Sequence, residues 1–237
     1  MPKLGVNIDH IATLRQLRHS LTPSLIEAAR ICENSGADSI VVHLRQDRRH
    51  IQDKDVWSLR RRVQKKFNLE MSAAPAIVRI ACRVKPDQVT LVPERRQELT
   101  TEGGLDVVKH WRRIERAARE LKRQMIDVSL FIEPAQEQIK AAAKLGIDMV
   151  EIHTGAYANS LNQRKRDKEF LKIKNAVTYA HEFGLTVHAG HGLDYGNTRP
   201  VARLAHMQEL NIGYSIVCRS VFVGLAQAVR EMKALVK

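Results

Sequence analysis

The chain has 237 residues, inside the range that a single α/β barrel occupies, and 44% of them are apolar, enough for one large core. With 12 Gly, 7 Pro and 27% charged residues it is neither low-complexity nor collagen-like. Its 39 Lys and Arg against 26 Asp and Glu give a net charge of +13, a surface that attracts anions such as phosphorylated metabolites, nucleic acid or anionic membranes.

Short β-branched segments alternate along the chain with stretches whose apolar residues recur at helical spacing. The first predicted strand, Leu4–Asp9, leads through a charged loop at Arg15–His19 to a helix over Pro23–Asn34. Thr22 reads as its N-cap, with Pro23 at the first helical position and Gly36 as its stop. Strand Ser39–Leu44, the charged loop Arg45–Asp53 and helix Asp55–Lys66 follow, then strand Phe67–Met71 and helix Pro75–Val84. A fourth strand, Gln88–Val92, is followed by a long loop, Glu94–Gly104, and helix Trp111–Gln124. Next come strand Ile126–Ile132, helix Ala135–Leu145 stopped by Gly146, strand Met149–His153 and helix Lys168–Glu182 stopped by Gly184. The last units are strand Leu185–Gly190, helix Arg199–Met207, a short strand Glu209–Ile212 and a terminal helix Phe222–Leu235. Eight alternating units with no Pro, Gly or Ser-rich linker predict one domain over residues 1–237, an α/β fold closed into a single (β/α)8 TIM barrel. A doubly wound open sheet is the runner-up, but Asp9-His10-Ile11-Ala12 after the first strand carries no GxGxxG.

In such a barrel the strand interiors are expected to be apolar and the carboxyl ends to carry the chemistry. Strand ends here read Asn7-Ile8-Asp9-His10, His43-Leu44-Arg45, Glu70, Glu94, Glu151-Ile152-His153 and His188-Ala189-Gly190-His191. Strand alternation puts Asn7 with Asp9, His43 with Arg45 and Glu151 with His153. Any one of these side chains alone reads best as a structural group, but the coincidence of position marks His43, Glu70, Glu151 and His191 as a site. Gly190-His191-Gly192 and Gly213-Tyr214-Ser215 follow the seventh and eighth strands, where barrels of this class commonly hold phosphate. Arg18, Arg45, Arg48, Arg49 and His50 add donors suited to phosphate or carboxylate, although Arg48 and Arg49 read equally well as solvated surface.

The other basic runs, Arg60-Arg61-Arg62, Arg112-Arg113 and Arg164-Lys165-Arg166, read as solvated faces. Aromatics make up only 5% of the chain, so stacking on nucleic acid is not expected. Cys32, Cys82 and Cys218 are widely spaced with no CxxC, which argues against a disulfide framework or structural zinc. The opening MPKLGVNIDH lacks a secretory apolar stretch and no run is long enough to span a bilayer, so a cytoplasmic protein with no membrane partner is expected.

The segments GVNIDHIATLR, VVHLRQDRRHI, NLEMS, LVPERRQELTTEGGLDV, EIHTGAYA, AGHGLDY and ELNIGYS together resemble the pyridoxine 5-phosphate synthase family of vitamin B6 biosynthesis, over nearly the whole chain. The resemblance implies a (β/α)8 barrel, octameric and without metal or other cofactor. It implies two phosphorylated small-molecule substrates, 3-amino-2-oxopropyl phosphate and 1-deoxy-D-xylulose 5-phosphate, joined into pyridoxine 5-phosphate, phosphate and water. It further implies His43 and Glu70 as proton acceptors, His191 as proton donor and Glu151 as transition-state stabiliser. Asn7, Arg18, Gly192, Gly213 and Tyr214 match positions that hold the amino ketone phosphate, and Asp9, His10, Arg45, His50 and Thr100 those that hold the pentulose phosphate. Two positions depart from the family pattern: Tyr214 stands where a histidine is usual, and His188, near the donor His191, replaces an asparagine.

Two other classes compete. A metal-dependent barrel hydrolase acting on a phosphorylated metabolite could draw on His43, Glu151, His153 and His191, but there is no HxH pair on the first strand. A nucleic-acid-binding barrel has only the net charge in its favour.

Overall fold

The computed structural model describes residues 1–94 and 103–237. Its strands are β1 (Lys3–Asn7), β2 (Ser39–His43), β3 (Lys66–Met71), β4 (Gln88–Leu91), β5 (Asp127–Ile132), β6 (Met149–His153), β7 (Thr186–Gly190) and β8 (Met207–Ile212). Each pairs in parallel with the next and β8 closes on β1, so the sheet has no free edge. Around it run α1 (Asp9–Gln16), α2 (Leu25–Asn34), α3 (Asp53–Arg62), α4 (Pro75–Val84), α5 (Trp111–Arg123) and α6 (Gln136–Lys144). The circuit ends with α7 (Gly155–Ala158), α8 (Gln163–Glu182), α9 (Thr198–Ala202), α10 (Tyr214–Val223) and α11 (Leu225–Val236). All eight expected strands are present, and the fold is the expected TIM barrel.

The period of two along each strand decides which side chains meet the helices. Val6, Ile40, Val42, Leu69, Leu130 and Ile152 are fully buried and join Cys32, Ala81 and Leu121 of the surrounding helices in one core. The alternate positions face the lumen, and there the expectation of apolar interiors fails. Ser39 donates to Glu209 at 2.8 Å, Lys66 to the same carboxylate at 2.5 Å, and Thr90 to Asn68 at 3.0 Å. Since β3 and β8 are not neighbours in the sheet, the Lys66–Glu209 pair spans the lumen. Burial of these groups is tolerated because they bond one another.

Several expected boundaries shift. The first strand stops at Asn7, and Asp9 opens α1, a helix in place of a loop, burying Ile11, Ala12 and Arg15. Ser24, not Thr22, caps α2: its hydroxyl accepts from Glu27 N, and the Thr22–Pro23 bond is cis. Helix α3 begins at Asp53, and Lys66, expected at its end, instead opens β3. Likewise α9 ends at Ala202 and Met207 opens β8, while α7 and α10 are helices that the strand–helix count does not require. The stops are as expected: Gly36, Gly146 and Gly184 have φ of +108°, +66° and +74°.

Candidate active site

The carboxyl ends of the strands converge on one rim. His43 is the last residue of β2, level with Glu70 on β3. Across the mouth, Glu151 on β6 lies level with His188 on β7, and His153 with Gly190. Long-range electrostatics tie the two sides together, since the charges of Glu151 and Asp9 both act on Glu70. Burial first, then those two carboxylates, push the Glu70 carboxyl well above the ordinary range. Glu151, 2% exposed, is pushed up to about 7 by burial, with Asn211 donating to it at 2.7 Å and opposing the shift. A carboxyl poised near neutrality can give as well as take a proton.

Linkage turns that shift into a stability prediction. The folded pKa of Glu151 lies above its unfolded value of 4.5, so its stabilisation is complete below pH 4.5 and is lost as pH rises to about 7. Glu151→Gln removes this dependence. The melting temperature of the variant relative to the unaltered chain should therefore be higher at pH 8 than at pH 4, and an unchanged difference would remove Glu151 from that account.

The His43 side of the rim is held by Glu94, which its place at a strand end does not by itself mark as part of the site. His43 Nε2 lies 3.1 Å from Glu94 Oε1, and Gln46 donates to the other carboxylate oxygen through its backbone and its side chain, each at 3.1 Å. Burial works against the Glu94 charge, but these bonds outweigh it and hold the carboxyl below its usual value. Asp9 Oδ1 accepts from His43 N at 2.8 Å, and Asn7 Nδ2 donates to Asp9 Oδ2 at 2.9 Å. Asn7 and Asp9 thus do meet, through a strand-to-helix turn and not by strand alternation. Arg45, 2% exposed, sits past the end of β2, with Asp47 at 3.5 Å from its Nε. The His50 ring faces His43 edge-on at 6.2 Å. Burial lowers its pKa, with His43, Arg45 and His10 adding to the effect against Asp9.

On the opposite side, His191 follows β7 with φ +79°, a left-handed backbone that a side chain rarely adopts. Burial, then His153 and His10, lower its imidazole to about 4. Gly192 also has positive φ, and a Cβ there would sit 2.7 Å from Ala158 Cβ, so the tight turn needs glycine. Gly213 caps α10, and a Cβ on it would lie 2.9 Å from Asn7. Both expected phosphate loops are thus tight turns that only glycine fits without displacing a neighbour. His10 stands edge-on to Tyr214 at 5.2 Å, and burial lowers its pKa against the charge of Asp9. Tyr214 itself is exposed, and its hydroxyl pairs with Cys218, which raises its pKa.

Arg18 is exposed on the turn closing α1, and no hydrogen bond among the described residues ties it to the cluster; the buried arginine of this segment is Arg15, which grips Asp55 with two bonds of 2.7 Å. His188 lies deeper in the lumen, level with Glu151, and burial pulls it to about 4, with the charge of Glu209 opposing the shift. Thr100 lies outside the described residues. Glu133 and His153 are further groups that sequence reasoning left out of the site, joined Oε1 to Nδ1 at 2.8 Å. Strand alternation already sets His153 beside Glu151, but nothing local points to Glu133, whose partner lies 20 residues on. Among the described residues no group of three or more His, Cys, Asp or Glu is arranged to hold a metal ion, and no helix is long and apolar enough to cross a membrane.

A closed parallel barrel with paired imidazoles and carboxyls on its C-terminal rim defines an enzyme of the TIM-barrel class. Solved structures share the fold: KGPDC from Streptococcus mutans has a TM-score of 0.67 at 14% identity, covering 100% of this chain and 97% of that one. Phosphoribosylanthranilate isomerase from Thermotoga maritima gives 0.62 at 11% identity, covering 100% and 98%. The model of the family described as pyridoxal phosphate biosynthesis protein PdxJ matches residues 4–237, and the chain belongs to that family. Relatives from Trichlorobacter lovleyi and Geobacter sulfurreducens, each a pyridoxine 5'-phosphate synthase, are 53% identical over 237 residues, 100% of this chain and 99% of theirs.

Proposed function

We propose that the chain is a pyridoxine 5'-phosphate synthase that condenses 3-amino-2-oxopropyl phosphate with 1-deoxy-D-xylulose 5-phosphate, releasing phosphate and water. The observation that carries this reading is 53% identity to such synthases along the full chain. Nothing comparable supports a metal-dependent hydrolase or a nucleic-acid binder.

Joining an amine to two ketones requires imine formation, deprotonation beside a carbonyl, loss of phosphate and loss of water. His43, oriented by Glu94, and Glu70 are read as the proton acceptors, and Glu151 as the stabiliser of developing charge. His191 is the donor. In the free site burial keeps it neutral, and a phosphate dianion brought to the Gly192 turn favours its protonated form. Asn7, Gly192, Gly213, Tyr214 and Arg18 are assigned to the amino ketone phosphate, and Asp9, His10, Arg45, His50 and Thr100 to the pentulose phosphate. The net charge of +13 favours capture of two anions. We read the protein as a single-domain, cytoplasmic homo-oligomer, octameric by family likeness. Exposed Leu17, Leu21, Val221 and Phe222, each more than seven-tenths accessible, support contact between copies.

Purified protein given both phosphorylated substrates should form the aromatic ring, followed by absorbance; no product would overturn the reading. Arg45→Ala should raise the KM for the pentulose phosphate at least about tenfold and that for the amino ketone by less than about threefold. The reverse order would reassign Arg45.

A further inference from the structure

The backbone at His191 is strained, and an imidazole on a strained turn needs outside support to hold one direction. That support comes from consecutive residues at the end of β6. Thr154 Oγ1 lies 2.7 Å from Gly190 O and 2.6 Å from His191 O, and Thr154 N donates to Gly190 O at 2.9 Å. The threonine, fully buried, thus grips the main-chain carbonyls on either side of the left-handed residue His191. His153, the residue before it, packs its ring against that of His191, centroids 5.1 Å apart at 59°. Glu133 fixes His153 in turn, Oε1 to Nδ1 at 2.8 Å, and the same oxygen accepts from Gly104 N at 2.7 Å. The pocket is closed tightly enough that a Cβ at Gly155 would meet His153 Nε2 at 2.4 Å and His191 Cδ2 at 3.1 Å.

We propose that Glu133, His153 and Thr154 form one positioning device for the imidazole of His191, with Thr154 clamping its backbone and the Glu133–His153 pair setting its orientation and charge. The inference rests on the synthase reading above, in which His191 is the proton donor. Groups facing His191 come from three elements: His153 on β6, His10 on α1 and Glu133 after β5. Their signs differ. His153 disfavours a proton on His191 and Glu133 favours it, so removing each should shift the donor in opposite directions.

The test uses the full chain and both phosphorylated substrates. Thr154→Val, which keeps the shape and removes the hydroxyl, should lower kcat about tenfold or more with KM within about threefold, and Thr154→Ser should stay within about twofold of the unaltered chain. In the pH profile of kcat, the alkaline limb that reports loss of the donor's proton should move to lower pH in Glu133→Gln and to higher pH in His153→Asn. Glutamine retains an acceptor for Gly104, so the first of these variants keeps the local fold. A Thr154→Val enzyme with normal kcat, a serine variant as impaired as the valine one, or limbs that stay still or move together would overturn the device. If the unaltered chain forms no product, the synthase reading falls and this inference with it; product from the unaltered chain alongside any of those results sinks the inference alone.

Discussion

Glu70→Gln should lower kcat by roughly 10³-fold while KM for both substrates stays within about threefold. The carboxyl sits at the rim on β3, level with His43, in a place where burial and the charges of Glu151 and Asp9 all resist its ionisation. Those effects make the ionised carboxyl a stronger base than a free carboxylate, whereas the amide has the same shape and cannot take a proton. The same burial makes the charge a cost to the fold, so the variant should melt no lower than the unaltered chain at pH 8. Turnover and thermal melting measured on the same preparation separate the two effects. A kcat within tenfold of normal would leave Glu70 as a structural carboxyl and pass the base role to His43 alone.

Much of this arrangement could be read before any coordinates. Short β-branched runs such as Ser39-Ile40-Val41-Val42-His43 and glycine stops at Gly36, Gly146 and Gly184 are local signals, and they are sufficient to count eight units. What they do not carry is which face of a strand looks inward. Asn68, Gln88, Thr90 and Glu209 fill the lumen because each is answered from another strand, and those partners are up to 170 residues away in sequence. The short helices α1 and α7 escape for a different reason. Each is too short to repeat an apolar stripe, so Asp9–Gln16 reads as a charged loop until its packing is known.

The site divides along the same line. His43, Glu70, Glu151 and His191 stand out because strand ends in a barrel point to one mouth. Their partners do not stand out, since Glu94 reaches His43 from 51 residues away and Glu133 reaches His153 from 20. Two imidazole–carboxylate pairs therefore flank the rim, one on the β2 side and one on the β6 side, and neither follows from spacing. Arg15 shows the converse. From sequence it is one more basic residue of a loop beside Arg18, but its bidentate bond to Asp55 makes it a buried brace between α1 and α3.

Gly190→Ala should abolish more than about 99% of turnover and cost on the order of 1–3 kcal/mol of stability. Gly190 closes β7 between His153 and Asn211, and a Cβ on it would stand 2.3 Å from Glu151 Oε1 and 3.0 Å from Asn211 O. Because the carboxylate is also tied to Asn211 at 2.7 Å, it cannot swing away without breaking a buried hydrogen bond. The clash therefore falls on the group read as the transition-state stabiliser. Gly103→Ala is the control, since its Cβ would lie an ordinary 3.6 Å from Glu133 Oε1, and its stability should change by less than about 0.5 kcal/mol. Adding Glu151→Ala to Gly190→Ala removes the nearest obstacle and should return part of the lost stability, but no activity. The Asn211 carbonyl, which belongs to the backbone of β8, would still be crowded, so the recovery is incomplete. Strict additivity of the two changes in chemical denaturation would show that the methyl and the carboxylate never compete for the same space.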